Sequence, residues 1–222
     1  MNPSGKSSLG NQDEHEKNRA LSETEKKRLA KFEAASEAFL QQDYHRVDLT
    51  VSIVKANVFA VVLLVPLLLI GIGTVYFRNS GVSLGYDPLS IFAFLAVYLI
   101  LIPVHELIHG ISWAIFAEHH FKDVEFGFMK QYLTPYCTCT VPLDKGPYIF
   151  SALMPLIILG IIPMITGILT GSIFILSVGI LMTDAAAGDI MIVWKLLRYK
   201  SEAVHLVYMD HPTQAGGVIF EK

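Results

Sequence analysis

Two histidines four residues apart, with a glutamate directly after the first, form the most chemically loaded stretch of the chain: His105-Glu106-Leu107-Ile108-His109. On a helix, residues four apart share one face, so both imidazoles can offer a ring nitrogen to one Zn²⁺ at about 2.0 to 2.1 Å. Glu106 is rotated by about 100° from His105 and flanks the ion instead of binding it. A carboxylate placed there can take a proton from a water acidified by the metal and hand it to a departing amine, which is metal-assisted hydrolysis of a peptide bond. A zinc site that keeps one position open for water needs a third protein ligand. Two carboxylates further along qualify: Asp184 and Asp189, in Met182-Thr183-Asp184-Ala185-Ala186-Ala187-Gly188-Asp189-Ile190.

The surroundings of these residues are apolar. Residues 91–104 lead into the motif almost without a polar side chain, and residues 111–116 continue beyond it. Each ionisable residue in such a run costs about 2.5 to 3.5 kcal/mol by insertion scales, so a chance pentapeptide match would be selected against there. That favours a metal site over the alternative, a polar cluster that merely joins helices by hydrogen bonds. Of the 222 residues, 53% are hydrophobic and 17% charged, against about 45 to 50% and about 25% in soluble chains. The composition is that of an all-α polytopic membrane protein. A net charge of -3 gives no reason to expect a nucleic-acid partner. Cys137 and Cys139 stand too close in sequence for an ordinary disulfide and alternate along one extended segment, which is ordinary packing.

Four apolar segments reach the roughly 20 residues needed to cross about 30 Å of hydrocarbon: 57–77, 90–116, 149–170 and 172–197. They divide the chain into a polar, partly disordered head at 1–46 and a membrane-embedded unit at 47–222. Lysine and arginine crowd the head (Lys6, Lys17, Arg19, Lys26, Lys27, Arg28, Lys31, Arg46, Lys55), the loop after the second span (Lys122, Lys130, Lys145) and the tail (Arg198, Lys200, Lys222). The loop after the first span has Arg78 alone. The positive-inside rule therefore puts both termini in the cytoplasm, in a multi-pass protein of the cell membrane. At 1.5 Å per residue, His105 and His109 lie roughly 22 and 28 Å from the outer surface, Asp184 roughly 18 Å and Asp189 roughly 25 Å. Depth thus nominates Asp189 as third ligand, with Asp184 the runner-up or a partner that orients a ligand histidine. The small residues 185–188 would let that helix approach the motif helix closely.

His105-Glu106-Leu107-Ile108-His109-Gly110, followed by Ala187-Gly188-Asp189-Ile190 and by Asp210-His211-Pro212 in the tail, resembles a bacterial membrane-protein family described as zincin peptidases. The resemblance runs from about Val47 to Phe220. More distantly it is similar to the site-2 protease family of intramembrane metalloproteases, in which two histidines and an aspartate from a later helix hold zinc. That aspartate typically follows an Asn-x-x-Pro context and precedes glycine; this chain has Gly188-Asp189 in the reverse order and no such context. The resemblance implies a zinc-dependent endopeptidase acting on a membrane protein or peptide near the cytoplasmic face of the bilayer.

Away from the spans, Leu29, Phe32, Ser36, Phe39 and Leu40 point to an amphipathic helix in the head. Alternation at 47–53 and the stretches 124–128 and 136–141 read as strands. They would form a small cytoplasmic sheet at the mouth of the site, either a cap or an edge for an extended substrate. His119, His120, His205 and His211 are expected on the surface. A non-catalytic scaffold or a metal-binding transport component remains the alternative function, and Glu106 separates the two: only hydrolysis needs it.

Overall fold

An apolar run that meets no water must satisfy its backbone N–H and C=O groups internally, and a helix does so. The computed structural model describes residues 21–77, 88–129 and 134–222. The expected disordered start, with Lys6, Lys17 and Arg19, lies outside the described residues, as do Arg78 and Lys130. In chain order the elements are α1 (Glu23–Leu40), β1 (His45–Thr50), α2 (Ile53–Phe77), α3 (Pro88–Phe116), β2 (Val124–Met129), β3 (Thr134–Cys139) and α4 (Lys145–Pro155). A π-helical stretch (Leu156–Ile161) then leads into α5 (Ile162–Thr170), α6 (Ile173–Ala185), α7 (Ala187–Arg198), β4 (Leu206–Asp210) and β5 (Gly216–Glu221). Three stretches, α2, α3 and Lys145–Thr170, are long and apolar enough to cross a membrane, and a fourth if α6 and α7 count together.

Two of the expected spans are not plain helices. The one over 149–170 starts earlier, at Lys145, and widens over Leu156–Ile161, where the Ile162 N–H bonds the Ile157 carbonyl five residues back. Pro163, near the start of α5, cannot donate a backbone hydrogen bond to the turn before it, so the ladder loosens there. The span over 172–197 was expected as one helix; it breaks at Ala186, where α6 and α7 meet at 49°. Ala186 has φ -80° and ψ 9°, outside the helical range, and Ala186 and Ala187 are buried at the bend. The close approach of helices lies elsewhere than expected. A Cβ on Gly188 would meet open space, whereas one on Gly160 would strike Thr183 and one on Gly179 would strike Met164.

The small sheet is in fact two. β2 and β3 form an antiparallel hairpin, while β1, β5 and β4, in that order, form a second antiparallel sheet. The tail, for which the sequence suggested no strand, supplies β4 and β5. Val218, Ile219 and Phe220 are completely buried, as a central strand covered on both faces must be, and so show no alternation to read. Ile219 packs with Trp113 and Tyr148 on one face. Phe220 meets Phe32 and Phe39 of α1 on the other, with the Phe39 ring stacked 4.8 Å away. α1 begins at a capping box in which Ser22 and Glu25 bond each other's backbone N–H. Its buried stripe contains Phe32 and Ser36, and also Glu25 and Arg28.

Candidate metal centre

His105 and His109 project from one face of α3 and are buried, at 8% and 4% exposure. Asp189 enters from the first turn of α7, just past the bend. Its Oδ2 lies 3.2 Å from His105 Nε2 and its Oδ1 lies 3.4 Å from His109 Nε2. All three ligand atoms fall within 4.8 Å of one another. Ligands at about 2.0 to 2.1 Å from a shared tetrahedral ion stand about 3.4 Å apart, so the donor set already has nearly the spacing zinc requires. Asp184, the runner-up, stays on α6 before the bend and beside Tyr98; its Oδ1 is buried without a partner among the described residues.

The hydrogen bond on the far side of His109 decides its tautomer. His109 Nδ1 is 3.0 Å from the Ser151 carbonyl oxygen, which only accepts, so Nδ1 carries the proton and donates. In the neutral ring Nε2 is then a lone pair facing a carboxylate oxygen. Two acceptors at that range repel unless a proton or a metal ion lies between them. The residues therefore fit a metal ion, and Trp113, stacked on the His109 ring at 5.1 Å, fixes its plane.

Glu106 is half-buried one residue along α3 and lines a cavity of about 200 Å³ shared with His109, Asp189, Tyr148, Asp210 and Arg28. The strand register explains what faces it. Thr140 N–H bonds the Asp123 carbonyl, so every second residue of β3 turns its amide to β2, and Cys137 and Cys139 turn theirs outward. The outward amide of Cys137 addresses Glu106, and that of Cys139 donates to Asp210 Oδ2 at 2.8 Å. The hairpin can sit this close because residue 110 is glycine: a Cβ there would collide with the Phe126 ring.

Asp210 also accepts from Tyr148 OH at 2.7 Å and Thr138 Oγ1 at 3.1 Å. Burial raises its pKa above the usual carboxylate value, and these donors hold part of that rise back. Burial, reinforced by the Glu106 charge, pushes the Cys137 thiol up, and Cys139 rises to about 12. Both stay protonated at neutral pH, which disfavours them as metal ligands. Of the histidines expected on the surface, His119, His120 and His205 are exposed and His211 is half-buried; His120 Nδ1 donates to the Ala114 carbonyl at 2.8 Å. His211 Nδ1 accepts from the Thr213 and Gln214 amides at 3.3 and 3.0 Å.

Ser151, Tyr148, Asp210 and Arg28 were not singled out as site residues from sequence. Ser151 acts through its backbone, which leaves no trace in residue type. Asp210 stood in a noticed tripeptide, yet its partners come from β3 and α4, far away in the chain.

Residues 98–204 match the model of a protein family described as "Putative zincin peptidase". Comparisons with curated proteins and with solved structures gave no match. The matched segment includes most of α3, the hairpin and α4 through α7, and leaves out α1, β1, α2, β4 and β5.

Proposed function

Since the zincin-family segment carries both histidines, Glu106 and Asp189, we propose that the protein is an integral membrane zinc-dependent endopeptidase acting near the cytoplasmic face. One observation carries this reading: ligand atoms of two buried histidines and the partly buried Asp189 lie within 4.8 Å of one another, and His109 and Asp189 share a cavity with a carboxylate adjacent in sequence to the first ligand. His105, His109 and Asp189 would hold Zn²⁺. Zinc supplies Lewis acidity, polarising a carbonyl and lowering the pKa of a water to about 7. Glu106 takes the proton from the attacking water and returns it to the leaving amide nitrogen. Ser151 keeps the His109 lone pair aimed inward throughout.

The substrate is a membrane protein or peptide whose scissile bond enters the cavity beside Glu106 in extended form. A helical substrate must unwind first, because a helix hides its peptide bonds. The exposed apolar side chains of α2 and α3, such as Val61, Leu69, Phe92 and Leu99, suit a lipid bilayer. The lysines and arginines of the head, central loop and tail support cytoplasmic termini.

Metal content and proteolysis of the detergent-purified protein test the reading. Glu106→Gln is expected to keep one zinc per chain and lose proteolysis; His109→Ala is expected to lose both. Equal metal in the two variants would exclude the site. Turnover untouched by Glu106→Gln would favour a scaffold or transport component.

A further inference from the structure

The hairpin is gripped from both sides, and only one side belongs to the zincin segment. Side chains alternate across a strand, so the pairing puts Phe126 and Cys137 on one face and Gly127, Tyr136, Glu125 and Thr138 on the other. The first face rests on α3: Phe126 fills the space over Gly110, and Cys137 borders the cavity. The second face meets α1. Lys31 Nζ lies 3.1 Å from Glu125 Oε1. Arg28 Nη1 donates to Tyr136 OH at 2.9 Å, and the guanidinium stands 4.8 Å over the Tyr136 ring. Arg28 Nε donates to the Pro212 carbonyl at 2.5 Å.

Arg28 is only 7% exposed, and a cation that deep is kept only where hydrogen bonds and an aromatic face replace water. Its planar fork makes both bonds at fixed angles, which a lysine cannot do. One bond goes to the hairpin and the other to the turn between β4 and β5, so Arg28 ties together two parts of the cavity wall. Tyr136 precedes Cys137, whose amide addresses Glu106.

We propose that Arg28 is a positioning residue: through it α1 presses β3 onto the motif helix and keeps the strand's outer edge in line with Glu106. α1 is then part of the working site, although it lies outside the family segment. The kinetic consequence rests on the peptidase reading; the clamp itself does not.

Cys137 is a built-in reporter, because its thiol is partly buried in this sandwich while Cys139 is 2% exposed. In the full chain, alkylation of Cys137 is followed by mass spectrometry for wild type, Arg28→Ala and Arg28→Lys, with zinc content measured alongside. Arg28→Ala is expected to speed Cys137 modification about tenfold, the scale of one lost hydrogen bond to a charged group. Zinc stoichiometry stays unchanged. Arg28→Lys falls between, since it keeps the charge and loses the fork. On a peptide substrate KM rises more than kcat falls. Should Arg28→Ala fail to fold, Lys31→Glu is expected to speed labelling, and the double swap Lys31→Glu with Glu125→Lys to restore it. Labelling unchanged by both Arg28→Ala and Lys31→Glu would overturn the clamp. Wild-type protein without proteolysis, but with the labelling shifts intact, would overturn the peptidase reading and leave the clamp standing.

Discussion

At the scale of single residues, the tautomers of His109 and His211 are dictated by what Nδ1 touches. His109 gives its Nδ1 proton to a carbonyl, and His211 accepts two amides at Nδ1, so His211 is held neutral with its proton on Nε2. Burial lowers its pKa below 6.5; the neighbouring Asp48 and Glu33 push upward and Arg46 and Arg28 downward. A depressed folded-state pKa means that the folded state binds fewer protons. Its stabilising contribution is present above the unfolded value of about 6.5 and is lost as pH falls through the folded value. His211→Asn, which keeps an acceptor but cannot titrate, is expected to flatten the fall of melting temperature on acidifying from about pH 6.5; an acid limb identical to wild type would contradict this. The histidine pair and Glu106 were legible in sequence because a four-residue spacing is a helical property. The carbonyl of Ser151 was not, because any residue type supplies one.

At the scale of elements, the departures from expectation fall where a helix stops being regular. Depth counting along a straight helix pointed to Asp189 over Asp184, yet Asp189 reaches the histidines because the chain turns at Ala186. The helix after the break lines the cavity through Asp189 and Ile192. The hairpin was readable from its own stretches, but its seat on α3 depends on Gly110. Gly110→Val is expected to force the Phe126 ring aside at a cost of about 1 to 3 kcal/mol. Thermal melting should show that loss, and Cys137 labelling should quicken as the strand lifts from Glu106. A variant as stable as wild type would mean that the hairpin does not rest there.

At the scale of the whole molecule, apolar helices carry the candidate metal ligands, and residues of both sheets border the cavity beside them. If zinc binds only the folded chain, removing it should lower stability by RT ln(1 + [L]/Kd), about 4 kcal/mol at a thousandfold excess over Kd. Chelation is expected to lower the melting temperature of wild type and leave His109→Ala where it was; equal shifts in both would argue against a structural link. The long apolar helices were legible from hydropathy, since about 20 apolar residues admit few other structures; three reach spanning length, and the expected fourth does so only if α6 and α7 count together. The three-stranded sheet was not, because its central strand draws partners from residues 45–50 and 206–210, and pairings so distant leave no local pattern. That central strand has a consequence in time. The cavity wall includes Gly216, and β1 has no neighbour until β5 arrives. β1 therefore pairs only once residues 216–221 are in place, and the cavity wall at Gly216 forms when that pairing, between distant parts of the chain, closes.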